Sequence, residues 1–224
     1  MNFIGKLFIG PGKRREPRAE TGYKSQIELL RKVWNAEAFA SSYGIERLFL
    51  LLLILLQFAF PLLLIRSLFS RIGSTAVRLA VESYTLFKLF LPVGILAGGL
   101  YQAPFFVWLV CFTLIETLVH LLGLVFLPGP ESNPDYRRSI LLLLINYFQV
   151  SLDFAVLYLA LEPLNRPLSP VSAVYFSFVT GTTLGYGEYY PATAAGRFVV
   201  TFHLVVFVFF LILFVNHFLT RSKE

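Results

Sequence analysis

The sequence predicts an all-α protein that is embedded in a membrane. Hydrophobic residues make up 57% of its 224 residues and charged residues only 14%, whereas about a quarter of the residues in soluble domains are charged. Several apolar runs also approach or exceed the ~20 residues that a helix needs to cross a bilayer. None of them has the short apolar core and small-residue cleavage site of a secretory signal. We therefore expect an integral, multi-pass membrane protein.

The first 44 residues are the only sizeable polar part of the chain, with eight basic residues against four glutamates. Ile27, Leu30 and Trp34 recur at helical spacing, which predicts a short amphipathic helix at the membrane interface. An ordinary solvated helix would show the same pattern. The net charge of +6 favours contact with anionic lipids, and no basic stripe is interleaved with aromatic residues. We therefore expect membrane lipids as partners and no nucleic acid.

The apolar runs predict the membrane-spanning helices. The four strongest candidates are Leu48 to Ile65, Ala103 to Leu127, Ser139 to Leu161 and Ala194 to Leu219. A fifth run, Leu86 to Leu100, has only 15 residues and contains Lys88 and Pro92, so its length fits a re-entrant, interfacial or short spanning segment.

A glycine-rich stretch, TGTTLGYGEYYP at residues 180–191, lies between the last two of these runs. Gly185 and Gly187 permit backbone conformations that other residues resist, so successive carbonyl groups can turn to one side. A row of carbonyl oxygens from several copies of such a strand can replace the water shell of a cation. Irregular backbone at membrane depth is tolerated only where it is buried in protein or lines a water-filled path. The stretch therefore predicts a re-entrant loop.

The stretch TTLGYGE at residues 182–188 resembles the selectivity filter of tetrameric potassium channels, whose pattern is T-T-V-G-Y-G-D. Ser169 and Pro170 before it predict a helix start, and the residues from 171 to 182 have the length of the family's pore helix. Tyr175 and Phe176 stand where the family has an aromatic pair that braces the filter. Tyr189-Tyr190-Pro191, followed by Gly196-Arg197, matches the outer mouth and the start of the inner helix.

This resemblance implies an all-α bundle with a re-entrant pore helix and a filter loop, assembled as a homotetramer with three further copies of the chain. It implies K⁺ ions in the filter and no organic cofactor. Leu184 stands where Val or Ile is usual, and Glu188 replaces the usual Asp. The ion-binding residues would be Thr183, Leu184, Gly185 and Tyr186, with Gly187 ending the row, and the supporting residues Thr182, Glu188, Tyr175, Phe176 and Val179.

The inner helix has no glycine between Arg197 and Leu219, and Phe207 stands where the family often has a hinge glycine. A hydrophobic constriction of Phe207, Phe210 and Phe214 is therefore a candidate gate. The alternative is that these phenylalanines face lipid or neighbouring helices.

The resemblance implies passive K⁺ conduction, with a non-conducting or regulatory homologue, or a weakly selective cation channel, as alternatives. An unidentified regulatory partner is left open. We expect no enzyme, because the chain has no G-x-S-x-G or H-E-x-x-H motif and no phosphate-binding loop. The predicted parts are a basic segment with the amphipathic helix (1–44), two or three N-terminal spans (45–138), the pore domain (139–219) and a short cytoplasmic tail (220–224).

Two further points concern charges inside or beside the apolar runs. Glu116 and His120 stand four residues apart, which predicts a mutually satisfied polar pair rather than a proton or voltage sensor. Arginines before the pore are too sparse for a voltage sensor. With five spans, Arg66, Arg71 and Arg78 lie inside, but the basic N-terminus lies outside, against the positive-inside rule. With four spans, in which the run at residues 86–100 does not cross, the N-terminus lies inside, but Arg71 and Arg78 lie outside. The sequence slightly favours five spans.

Overall fold

The computed structural model describes residues 22–35, 44–127, 136–162 and 164–221. Within these ranges the chain folds into eight α-helices, which confirms the predicted all-α class. The helices are α1 (Tyr23–Trp34), α2 (Ile45–Gln57), α3 (Pro61–Phe69), α4 (Ser74–Ala97), α5 (Pro104–Phe126), α6 (Tyr136–Leu161), α7 (Pro170–Gly181) and α8 (Ala194–Arg221).

Four helices are long and apolar enough to cross a membrane. Three of them, α5, α6 and α8, coincide with predicted runs, and their lengths of 23 to 28 residues exceed the ~20 residues that a bilayer requires. Together with α4, these helices make the protein an integral multi-pass membrane protein.

The fourth spanning helix is α4, and it includes most of the run at residues 86–100 whose character the sequence left open. The helix has 24 residues because it starts at Ser74, well upstream of that run. Arg78 and Glu82 interrupt the apolar pattern in the sequence but stand four apart on one helical face, where they do not interrupt the helix. Pro92 lies inside the helix, as membrane-spanning helices tolerate.

The predicted run from Leu48 to Ile65 is not one continuous helix. It is divided between α2 and α3, whose axes differ by 66°. The break precedes Pro61, which occupies the first turn of α3, while Phe60 before it is extended, as a residue before proline prefers. The described helices therefore provide four spans, or five if the bent pair counts as one.

The chain divides into two compact units, residues 1–84 and 85–224, so the division falls inside α4. In the first unit, α1 forms as predicted and packs on α2 and α3. In the second unit, α6 is central and packs on α5, α7 and α8. Phe154 and Tyr158 of α6 are completely buried in this core. The helix α7 and the loop after it are thus attached to α6.

Candidate functional site

The helix α7 is a short apolar helix that begins as the sequence predicts. Ser169 is its N-cap and accepts a hydrogen bond from the backbone N–H of Ser172 at 3.1 Å, and Pro170 occupies the first turn. The helix has 12 residues and ends at Gly181. At 1.5 Å per residue it is about 18 Å long, too short to cross a hydrocarbon core of about 30 Å.

Two contacts fix α7 against α6. The ring of Phe176 is 6% exposed and packs edge-on against Tyr158, with centroids 4.8 Å apart. On the same side, the hydroxyl of buried Ser177 donates a hydrogen bond to the carbonyl of Ser151. Phe176 therefore packs the middle of α7 against α6, and its role in bracing the filter stays a prediction.

Hydrogen bonds from the end of α7 hold the start of the glycine-rich loop. The backbone N–H of Thr183 donates to the carbonyl of Thr180 at 2.9 Å, and the N–H of Leu184 donates to the carbonyl of Val179 at 3.0 Å. The hydroxyl of Thr182 bonds back to the carbonyl of Phe178 at 2.8 Å. Val179 thus supports the loop through its backbone carbonyl, and Thr182 supports it through its hydroxyl.

Every second residue of the loop has a left-handed backbone. The φ angles are 58° at Thr183, 53° at Gly185 and 87° at Gly187, while Leu184 and Tyr186 between them are not among the residues with positive φ. A left-handed φ at alternate positions lets successive carbonyl groups turn to one side of the chain. Threonine is β-branched and rarely adopts this conformation, so Thr183 carries backbone strain of the kind that collects at functional sites.

The loop is open on one side in the single chain. All residues from 182 to 188 are exposed, including Leu184 at 57% and Tyr186 at 68%. The ring of Tyr186 lies parallel to that of Tyr175, with centroids 6.4 Å apart. The neighbouring side chain of Glu188 is the main reason why the pKa of Tyr175 rises to about 12. The phenol therefore stays protonated at neutral pH.

Asn165 and Arg166, which sequence reasoning missed, hold the far end of the loop. The guanidinium of Arg166 donates to the carbonyl of Glu188 at 2.8 Å and lies 5.2 Å from the ring centroid of Tyr189. Asn165 accepts a hydrogen bond from the N–H of Tyr190 at 3.1 Å and donates to the carbonyl of Glu188 at 3.3 Å. The pairing of Leu164 with Pro191 continues this clamp. A weak signal existed, because Arg166 is a basic residue in a short segment between apolar helices.

Replacing Arg166 by glutamine is expected to loosen the segment from Glu188 to Tyr190. The change removes a charge-assisted hydrogen bond and a cation–π contact at an exposed site, together worth about 1 kcal/mol. Amide hydrogen exchange of that segment should rise roughly fivefold, since local opening follows the lost free energy. Arg197→Gln, which changes another exposed arginine, is the control. Equal exchange in both variants and the parent protein would show that Arg166 does not hold the loop.

The predicted gate residues lie on α8 and contact the rest of the second unit. Phe210 is 1% exposed and packs edge-on against Tyr147 of α6, with centroids 5.6 Å apart. Phe207 lies 6.2 Å from the same ring, and Phe214 packs against the core. In this conformation the three rings pack within the chain, and their role as a gate stays a prediction.

Behind the loop, His203 of α8 is buried among aromatic residues. Its ring stacks on Phe154 at 3.9 Å, and its Nδ1 atom lies 3.1 Å from the hydroxyl of Tyr158. A Cβ atom added to Gly181 would lie 3.3 Å from Nε2 of His203. The end of α7 therefore approaches α8 closely, which only a small residue at position 181 allows.

A buried polar network joins α4, α5 and α6 inside the second unit. The ammonium of Lys88 lies 3.7 Å from the carboxylate of Glu116 and donates to the hydroxyl of Thr117 at 2.8 Å. That hydroxyl donates to Gln149 at 2.9 Å, and Gln149 donates to Asp153. All five side chains are at most 4% exposed. The sequence predicted a polar partner for Glu116 on its own helix, and the structure adds Lys88 from α4.

A capped short helix and a glycine-rich loop between two long apolar helices define a class of membrane protein with a pore module. Comparison with known families agrees, because residues 140–223 match the ion channel family. The match covers more than a third of the chain and supports a pore module of the ion channel type at these residues. Searches of curated proteins and of solved structures found no match to the chain.

Proposed function

We propose that the protein is a potassium-selective channel whose filter is formed by residues 183–187 of four identical chains. The observation that carries the proposal is the alternation of left-handed residues at Thr183, Gly185 and Gly187. This backbone supports a row of carbonyl groups on one side of the strand. Carbonyl oxygens in a ring replace the hydration shell of K⁺ without charged side chains.

The position of the loop adds electrostatic support for a cation. The loop follows the C-terminal end of α7 directly, and the C-terminal end of a helix carries about half a negative charge. Near the outer end, the acidic side chain of Glu188 lies beside Tyr175, next to the loop. Both features favour a cation over an anion along this path.

The exposure of the loop supports the tetramer. A single strand supplies only one side of a coordination shell, and its apolar Leu184 and aromatic Tyr186 are both more than half exposed. A closed ring of identical chains around a central axis would supply the other carbonyls. Residue 184 contributes its carbonyl, so leucine at this position is compatible with ion binding.

The test is ion flux through the purified full chain in liposomes loaded with K⁺ or Na⁺. We expect K⁺ efflux to exceed Na⁺ efflux at least about tenfold, which corresponds to a site preference of about 1.4 kcal/mol. Native mass spectrometry of the same sample should give four chains per particle. Equal K⁺ and Na⁺ efflux would indicate a weakly selective cation channel, and no efflux from tetramers would indicate a non-conducting homologue. Either result contradicts the proposal.

A further inference from the structure

The helices α1, α2 and α3 of the first unit have an apolar face that the described chain leaves open. In α2, successive turns present large apolar side chains on one face that are 40 to 86% exposed, whereas Leu50, Leu53 and Ile54 on its other face are almost completely buried. The pattern continues in α3 and its following turn. The open residues are Ile45, Leu48, Leu52, Leu55 and Leu56 in α2, and Leu64, Leu68, Phe69 and Ile72 further on.

The charged helix α1 lies along the whole length of α2. At one end of α2, the side chain of Arg47 donates to the carbonyl of Trp34, the last residue of α1. At the other end, Gln26 donates to Gln57, and the rings of Tyr23 and Phe58 are 5.8 Å apart. The two helices are therefore antiparallel neighbours at the same membrane depth.

This packing argues against α2 as part of a transmembrane span. The helix α1 exposes Lys24, Glu28, Arg31 and Lys32, and charged side chains in hydrocarbon are strongly disfavoured. The helix α2 has 13 residues and is about 20 Å long, short of the ~30 Å core. The helix α3 does not extend it in the same direction, because the bend between them is 66°.

We infer that α1, α2 and α3 lie in the plane of the membrane, as a surface element that binds the headgroup region of anionic lipids. The open apolar face of α2 and α3 enters the acyl boundary, and the basic side chains of the element meet the negatively charged headgroups. The charge balance fits this occupant, since residues 22–72 contain six basic and three acidic residues. On α1, exposed Ile27 and Trp34 lie on one flank of the charged face, as in helices at a membrane surface.

The inference also removes the topology conflict in the sequence. With four spans, the starts of α4 and α6 and the end of α8 are on one side of the membrane. Arg66, Arg71 and Arg78 then lie on that side, together with Arg137 and Arg138. If α2 and α3 do not cross the membrane, the basic N-terminus lies on the same side. This arrangement follows the positive-inside rule for these residues, while Arg166 and Arg197 lie on the other side. The inference does not rest on potassium selectivity.

The depth of α2 can be measured with a fluorophore on single cysteines in the full chain, after Cys111→Ser removes the native thiol. The variants are Leu52→Cys on the open face, Lys24→Cys on the charged face, and Ile115→Cys, which is 50% exposed at the middle of α5, as a deep reference. The vesicles contain phosphatidylcholine and phosphatidylserine, with nitroxide-labelled lipids that quench at shallow or deep positions.

We expect the Leu52→Cys label to be quenched at least about twofold more by the shallow nitroxide than by the deep one, and the Ile115→Cys label to show the reverse. Stronger deep quenching at Leu52→Cys would mean that α2 spans the membrane. No quenching there by either lipid would mean that protein, such as a second copy of the chain, covers the face. Both results overturn the inference.

Lipid charge and sidedness are tested separately. Each basic residue near an anionic surface changes the partition of a segment roughly fivefold, so Lys24→Gln with Arg31→Gln should reduce shallow quenching at Leu52→Cys in phosphatidylserine vesicles, and not in phosphatidylcholine vesicles. An equal loss in both lipids contradicts the electrostatic part.

In intact cells, an impermeant maleimide should label Ala192→Cys, which is exposed in the loop before α8, and reach Lys24→Cys only after permeabilisation. Labelling of Lys24→Cys in intact cells overturns the inference.

Discussion

Gly187→Ala is expected to abolish K⁺ efflux from liposomes while the protein still assembles. The φ angle of 87° at Gly187 is left-handed, and an L-residue costs about 1–2 kcal/mol in that region. Since a tetramer has four such positions, the strain sums to about 4–8 kcal/mol along one ion path. We expect the efflux rate to fall by about a thousandfold or more, as measured with a K⁺-sensitive dye.

Gly94→Ala is the matched control for this change. Gly94 lies inside α4 without a positive φ, and an added Cβ atom meets no atom of the chain within 4 Å. The control variant should conduct at the parental rate. Size-exclusion chromatography of both variants shows whether assembly is unchanged. Parental efflux from Gly187→Ala would mean that residue 187 does not need its left-handed backbone for conduction, and that the proposed filter is wrong at its outer end.

Lys88→Met is expected to destabilise the protein by about 3–5 kcal/mol, the cost of removing one partner of a buried ion pair. The change takes the cation away from a network that holds the carboxyl groups of Glu116 and Asp153, both at most 1% exposed. Oxygen Oδ1 of Asp153 has no hydrogen-bond partner among the described residues, so the network has no spare hydrogen bond that could compensate for the lost cation. Thermal unfolding in detergent should show a clearly lower midpoint.

Two further variants show whether charge or shape is responsible. Glu116→Gln combined with Lys88→Met removes both members of the pair and should recover part of the loss, because no carboxylate at position 116 is then left without its cation. Lys88→Arg keeps the charge and should be less harmful than Lys88→Met. If Lys88→Met and the double variant unfold at the same temperature, the carboxylate left at position 116 is not what destabilises Lys88→Met.

Much of the candidate site could be predicted from the sequence because its signals are local. Ser169 and Pro170 are neighbours that start α7, and the start appears where they predict it. The glycines at 185 and 187 predict unusual backbone, and both have positive φ. Positive φ at Thr183 could not be predicted, because threonine disfavours that conformation and only the hydrogen bonds from the end of α7 hold it there.

Contacts between distant residues were beyond sequence reasoning. Arg166 meets the carbonyl of Glu188 across 22 positions, and Lys88 meets Thr117 across 29. Such contacts depend on how the helices pack, and a single sequence carries no record of that packing. The prediction for Glu116 therefore named His120, its neighbour on the same helical face, and did not name Lys88 on another helix.

By itself, the sequence determined that the protein is an all-α membrane protein, where three of its spanning helices run, and which loop has the glycines of the proposed filter. These properties depend on composition, run length and local backbone freedom. The tertiary structure alone decided that α4 is a full span, that the run at residues 48–65 breaks into two helices, and that α1 lies along α2. The physical reason is that charges such as Arg78 and Glu82 interrupt an apolar run without ending a helix. Whether a segment lies in the membrane or on it depends on the helices that pack beside it.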